Sequence, residues 1–220
     1  MRLPARFPRR LAQLLVGLVL FGWSMAMLVR AGLGLFPWDV FHQGLTNLVP
    51  LSFGQVTIAV GAVVLLLWIP LRQRPGLGTV LNVVVIGLAA DAGLALIPEA
   101  VGWVAQSAML SGGVVANGLA GALYVGARLG PGPRDGLWVA ITRRTGRSIR
   151  LVRTVLELAV VAAGWLLGGT VGVGTVAYAL AIGPLVQFFM TWVDVRPPDA
   201  EWFSDPGDAP EPEPVTSVAG

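Results

Sequence analysis

The chain has no cysteine, no lysine and a single histidine, and only 12% of its 220 residues are charged. Without cysteine there can be no disulfide, no thiolate metal site and no cysteine nucleophile, and the redox compartment is left open. So little charge excludes an ordinary aqueous globule, whose surface needs acidic and basic residues over most of its area. The lone His42 has no ligand spacing around it, so no metal site is expected and a surface or interfacial position is. No metal triad and no Ser and His constellation stand in the chain, which argues against an enzyme. Gly32, Gly34, Gly130 and Gly132 lie outside any βαβ context, so no nucleotide is expected, and no cofactor of any kind.

What the chain has is apolar length. Hydrophobic residues make up 55% and the mean hydropathy is +0.74. Six runs, Leu11 to Val29, Val56 to Leu71, Val80 to Ile97, Ser111 to Val125, Leu151 to Leu167 and Val173 to Trp192, are long enough to be read as membrane spans. They lack the alternation of barrel strands, and hydrocarbon requires every backbone group to be satisfied internally, so the runs are helices. All fifteen basic residues are arginine and they cluster beside these runs. Membrane topology therefore explains the basic pI better than nucleic acid does, and no nucleic-acid partner is expected.

Arginine sets the orientation. Arg2 to Arg10, then Arg72 and Arg74, then Arg128, Arg134, Arg143, Arg144, Arg147 and Arg150 mark alternate connections, while the others hold only Arg30, Asp39, His42 and Glu99. The positive-inside rule puts both termini in the cytoplasm of a bacterial cell. The first run resembles a secretory signal, but it is needed as the structural partner of a later span, so cleavage is not expected. Trp68, Trp103, Trp165 and Trp192 fit interfacial belts. Beyond Trp192 the chain is rich in Pro, Asp and Glu and reads as a disordered cytoplasmic tail over 193–220.

The chain matches itself without a gap at a shift of 96 residues. Ala31 to Asp39 (AGLGLFPWD) falls on Ala127 to Asp135 (ARLGPGPRD), and Thr46, Ser52, Gly76, Gly78 and Thr79 fall on Thr142, Ser148, Gly172, Gly174 and Thr175. Pro and Asp match as well as Gly and Ala, so shared composition does not account for the register. Behind a basic N-terminus (1–10), repeat A covers 11–97 and repeat B covers 107–192, each with three spans. An odd number makes the second half enter the membrane from the opposite side, an inverted repeat. The expected fold is thus an all-α membrane protein of about six spans in two inverted three-helix repeats.

After each Gly and Pro loop comes a segment too short to span, Pro37 to Leu48 and Pro133 to Thr145. Proline suits a first helical turn, and Asp39 and Asp135 sit near the dipole-favoured end. Each Asp shares a face with a threonine two turns on, Thr46 and Thr142. Broken backbone at membrane depth is tolerated where it lines a cavity, and transporters build sites from it. The alternative is a segment lying flat in the interface, with Asp as a cap. Three further ionisable residues fall within spans: Asp91 without a sequence-local partner, and Arg153 with Glu157 four residues apart. Asn82 and Asn117 suit polar contacts between helices.

Gly34 to Gly44 (GLFPWDVFHQG), Trp68 to Thr79, Leu129 to Gly136 (LGPGPRDG), Arg147 to Glu157 and Gly168 to Pro184 resemble the YczE-type membrane proteins, grouped with YyaS and YitT, over roughly Arg9 to Trp192. The resemblance implies a bacterial integral membrane protein and brings no settled activity. By architecture the chain is expected to be a small secondary transporter or permease for an unidentified solute, with Asp39, Asp135, Asp91 and Glu157 around a central path. The alternative is a scaffold that docks a cytoplasmic partner on Arg134 to Arg150. Membrane lipid is a partner in either case, and a homo-oligomer is compatible with both.

Overall fold

The computed structural model describes residues 7–194, and these form eight α-helices and no strand. The acidic tail expected over 193–220 lies outside the described residues beyond its first two positions. In chain order the helices are α1 (Phe7–Ala31), α2 (Pro37–Thr46), α3 (Phe53–Trp68), α4 (Leu77–Leu96), α5 (Trp103–Gly126), α6 (Pro133–Thr145), α7 (Ile149–Leu166) and α8 (Val173–Val193). Four of them, α1, α4, α5 and α8, are long and apolar enough to cross a membrane. The 16-residue α3 is apolar but shorter, and α7 carries Arg150, Arg153 and Glu157 among its 18 residues. Large apolar side chains such as Leu96, Leu166 and Leu180 face outward, as they do where lipid is the solvent.

Local sequence explains the short elements. Pro37 and Pro133 open α2 and α6 at the position where a missing N–H costs no helical bond. Gly146, in the left-handed conformation at φ 65°, ends α6. At α3, Ser52 Oγ accepts from the Gln55 N–H at 3.1 Å while Gln55 Oε1 accepts from the Ser52 N–H at 3.0 Å, a reciprocal cap.

The 96-residue register extends to whole elements. Phe7 and Trp103, Pro37 and Pro133, Phe53 and Ile149, and Leu77 and Val173 open successive helices, each pair 96 residues apart. The packing is reciprocal too. Helices α1 and α5 lie against each other at the centre, α4 packs on α1 as α8 packs on α5, and α2 packs on α7 as α6 packs on α3. The loop before each short helix crosses to the other half. The Gly174 N–H donates to Leu33 O and the Gly78 N–H donates to Leu129 O, both at 2.8 Å. Gly34 (φ 119°) and Gly130 (φ 131°) make these crossings possible. A Cβ on either would lie within 3.0 Å of Thr175 or Thr79 in a backbone conformation that disfavours side chains.

Close approach of α1 to its neighbours rests on small residues. A Cβ at Gly17 would meet the Tyr124 backbone at 2.8 Å, and one at Gly22 would meet the Ile86 carbonyl at 2.5 Å. Arg10, expected only to mark the cytoplasmic side, is buried. Its guanidinium donates to Ala127 O at 2.8 Å and Arg128 O at 2.6 Å, so it satisfies carbonyls at the end of α5. Trp68, expected in an interfacial belt, is buried as well, and its indole N–H donates to Pro133 O at 3.0 Å. The ring fits because Gly136 offers no side chain at that point.

Candidate functional site

Helices α2 and α6 bring their first turns together at the middle of the bundle. Trp38 and Arg134 occupy positions 96 residues apart, and they touch. The guanidinium carbon of Arg134 stands 5.0 Å from the centre of the Trp38 ring and 5.2 Å from that of Phe36, a cation held between two π faces. It lies in electrostatic range of both Asp39 and Asp135.

The two halves then diverge in chemistry at matched positions. In the first half, Asp39 is fully buried and neither of its oxygens has a hydrogen bond. Its nearest polar neighbour is His42, with 3.5 Å between Oδ1 and Nδ1. The Thr57 hydroxyl donates to Phe53 O at 2.9 Å and lies 3.2 Å from His42 Nδ1. Its one proton being committed, Thr57 acts as acceptor and Nδ1 as donor, which leaves Nε2 as the buried ring atom without a partner. In the second half Trp138 stands where His42 would be and Arg153 where Thr57 would be. The Arg153 guanidinium carbon lies 4.7 Å from the centre of the Trp138 ring, and its Nε lies 2.9 Å from Glu157 Oε1. Asp135 accepts from the Tyr124 hydroxyl at 2.5 Å and is in electrostatic range of Arg153 and Arg134.

The free space is just as unequal. Phe36, Asn117, Tyr124, Asp135, Arg153 and Tyr178 are among the residues lining a cavity of about 500 Å³ among α5, α6, α7 and α8. A further space of about 560 Å³ shares Tyr124, Asp135 and Gln187 with it and reaches Arg128 and Gly130. The space beside α3 and α4, bordered by Thr57, Asn82 and Ile86 of the first half and also by Tyr124, Arg134, Asp135 and Trp138 of the second, holds about 80 Å³. Two contacts account for the difference. Helix α3 packs closely on α4, whereas α7 has no comparable packing on α8. Asp91 of α4 fastens the first pair, accepting from Ser52 Oγ at 2.5 Å and from the Gly54 N–H at 2.7 Å, a carboxylate on the positive end of α3. Gly54 and Gly87 let the backbones meet, for a Cβ on Gly87 would lie 2.6 Å from Gly54 O. Their counterparts are Arg150 and Gly183, and nothing lies within 4 Å of the Cβ position of Gly183. Gln187, the counterpart of Asp91, faces the cavity instead.

A family model described as a family of unknown function, DUF6198, matches residues 8–191, nearly all of the described chain. The chain belongs to the DUF6198 family. A protein of Haemophilus influenzae, called an uncharacterized protein, is 39% identical over 177 residues, 80% of this chain and 81% of that one. An uncharacterized membrane protein of Bacillus subtilis, YczE, is 34% identical over 174 residues, 78% of this chain and 81% of that one. YyaS of the same organism is 22% identical over 183 residues, 81% and 91% of the two chains. The expected YczE-type kinship is therefore established, and with the apolar helices it makes this DUF6198 protein an integral membrane protein. No solved structure matches.

Of the residues singled out by sequence in this DUF6198 chain, the structure gathers Asp39, Asp135, Arg153 and Glu157 around the centre. Asp91 stands apart, engaged at the start of α3. Thr46 Oγ1 donates to Gln43 O at 2.7 Å within its own helix, while Thr142 Oγ1 is buried without a partner. His42, expected at a surface, is fully buried because α3 and α7 cover α2. Arg134, Tyr124 and Tyr178 went unmarked in the sequence. Arg134 was hidden among the topology arginines, and the tyrosines are single residues in apolar helices with no local pattern. Tyr178 donates to Asn117 Oδ1 at 2.6 Å and Asn117 donates to Ser24 Oγ at 2.7 Å, the polar interhelical contact expected of Asn117.

Arg153 and Glu157 are less sheltered than a buried pair, with side chains 49% and 24% exposed. Glu157→Gln should therefore change thermal stability by no more than about 1 kcal/mol. A melting curve of the purified variant checks this; a loss several times larger would mean that the pair is closed off from solvent.

Proposed function

We propose that the chain is a small secondary transporter built as two inverted halves, with α1, α3 and α4 spanning in one and α5, α7 and α8 in the other. The single observation that carries this is the unequal packing of two matched helix pairs, α3 fastened on α4 through Asp91 while α7 stands off α8 around a cavity of about 500 Å³, within halves that keep the same element register. An inverted repeat with one side open and the other shut is what alternating access requires of a single conformer. In α3, 16 residues at about 1.5 Å each reach about 24 Å, short of a full bilayer core of about 30 Å, so α3 would cross only with local thinning or help from its loops.

Arginines mark the side that is open. Arg128, Arg143, Arg144, Arg147 and Arg150 belong to the connection and helix start beside the large cavity, so by the positive-inside rule it faces the cytoplasm. The solute would sit against Asp135 and Arg153 on aromatic walls from Phe36, Tyr124, Trp138 and Tyr178. Closure of α7 on α8 would bring Ser148 towards Gln187, as Ser52 now meets Asp91, while α3 and α4 part. Asp39, Asp135 and their neighbours remain at the centre throughout.

The test uses proteoliposomes and a solute screen, with single-cysteine labelling as the topology control in a chain that has no native cysteine. Saturable flux of a solute, with Ser148→Cys reached only from the cytoplasm, supports the reading. Labelling of Ser148→Cys from outside intact cells would sink the orientation, and absence of flux across a broad screen would favour the scaffold alternative, whose docking face would be the exposed Arg143, Arg144, Arg147 and Arg150.

A further inference from the structure

The carboxylates and arginines at the centre do not balance. Asp39 and Asp135 carry two negative charges against the one positive charge of Arg134, while Arg153 and Glu157, partly exposed, offset each other at the edge. These groups act on one another: Arg134 on Asp39 and Asp135, Arg153 on Asp135, and Asp39 and Glu157 on Tyr178. Tyr124 and Tyr178, the remaining titratable groups, are phenols and carry no charge near neutrality. In a water-poor interior an uncompensated charge is costly, and a titratable group neutralises it by moving a proton.

Sequence position says where that proton goes. In the second half Asp135 has a fixed cation in range, Arg153, and a phenol hydrogen bond from Tyr124. In the first half the place of Arg153 is taken by Thr57 and the place of Trp138 by His42. Asp39 thus has a titratable imidazole where Asp135 has an indole, and a hydroxyl where Asp135 has a permanent charge. Both Asp39 oxygens and His42 Nε2 are buried without hydrogen bonds, and Thr57 fixes Nδ1 as a donor.

We infer that Asp39 and His42, oriented by Thr57, form a proton-binding site, taking up one proton from water at His42 Nε2 and returning it when the cluster is rewetted. Uptake converts the Asp39 and His42 pair from net −1 to neutral and brings the whole cluster to zero charge. In a transporter this site would couple solute movement to a proton gradient. That coupling rests on the transport reading above, whereas the proton site does not.

His42 is the chain's one histidine, so its ring nitrogens give a single set of signals in protein labelled with ¹⁵N-histidine and held in lipid nanodiscs. As pH is lowered through the ordinary imidazole range and below it, Nε2 should change from a bare to a protonated nitrogen while Nδ1 stays protonated, with burial holding the change below that of a free histidine. Asp39→Asn should move the midpoint down by about 1 unit or more, because the anion facing the ring is gone. Thr57→Val, a near-isosteric change that keeps the apolar packing, should instead mix the two tautomers at high pH. The site is overturned if both nitrogens hold one state across the range, or if neither substitution alters the signals. In proteoliposomes, for a solute that shows flux, His42→Gln should retain exchange and lose accumulation driven by a pH gradient. Gradient-driven accumulation that survives His42→Gln and Asp39→Asn overturns the coupling and leaves transport standing. A His42 titration that responds to Asp39→Asn, with no solute moving, supports the proton site and removes the transport reading.

Discussion

Arg134→Gln should be among the most damaging single substitutions in this protein, with a loss of about 3 to 5 kcal/mol in folding stability, because it strips the compensating charge from two carboxylates at the centre of the bundle. Asp39 has no hydrogen bond of its own and is the more exposed to the loss, since Asp135 keeps the Tyr124 phenol, the Gly132 N–H and Arg153. The same change removes the cation lying over Phe36 and Trp38. Adding Asp39→Asn removes one of the stranded charges and should recover a large part of the loss. The check is chemical denaturation of the two single variants and the double variant in one detergent. Additive losses would mean that Arg134 and Asp39 do not sense each other, and both the charge count and the proton site would fall with that result.

The second large effect concerns the fastening of α3 to α4. Joining Ser52→Cys to Asp91→Cys with a short thiol crosslinker replaces the hydrogen bond between Ser52 and Asp91 by a covalent link. It should hold the first half shut, abolish net transport, and leave the large cavity on the other side accessible to a cytoplasmic probe; a cleavable linker should then restore flux. Joining Ser148→Cys to Gln187→Cys should do the opposite, closing the cavity and exposing the space between α3 and α4. With no native cysteine the background is clean. Full transport with either link in place would remove alternating access, since each state would then be dispensable.

Much of the fold was legible because its signals are local. Proline at a helix start and glycine at a helix stop placed α2 and α6, and the 96-residue register marked where one half ends and the next begins. The span count was less legible. Apolar length alone treats α7 like α8, yet α7 carries three charges, two of which, Arg150 and Arg153, line the cavity. The site was half legible. Asp39 and Asp135 stand out by their shared motif, but whether a polar residue is buried depends on which helix covers it, and that is long-range information. His42 carries no periodic signal, and only the packing of α2 against α3 and α7 reveals that its ring is enclosed. Asp91 shows the converse, a charge in an apolar run whose partner, Ser52, lies 39 residues away in another helix.

The contact of Trp38 with Arg134 carries one more implication. On the proposed two-fold, these are the same position in the two halves, so in an assembly of two separate half-length chains that position would face its own copy. Two arginines there would repel and two tryptophans would bring no charge to the neighbouring carboxylates; a cation resting on a ring is out of reach of identical subunits. Halves carried in one polypeptide are free to differ, so a mutation can fall on a single copy and turn a self-contact into a pair of unlike residues. His42 with Thr57 against Trp138 with Arg153 is the same event one turn further along the helix. One polypeptide thus does more than tether two bundles: it lets a symmetric frame hold a histidine near the centre of one half and an arginine near the centre of the other.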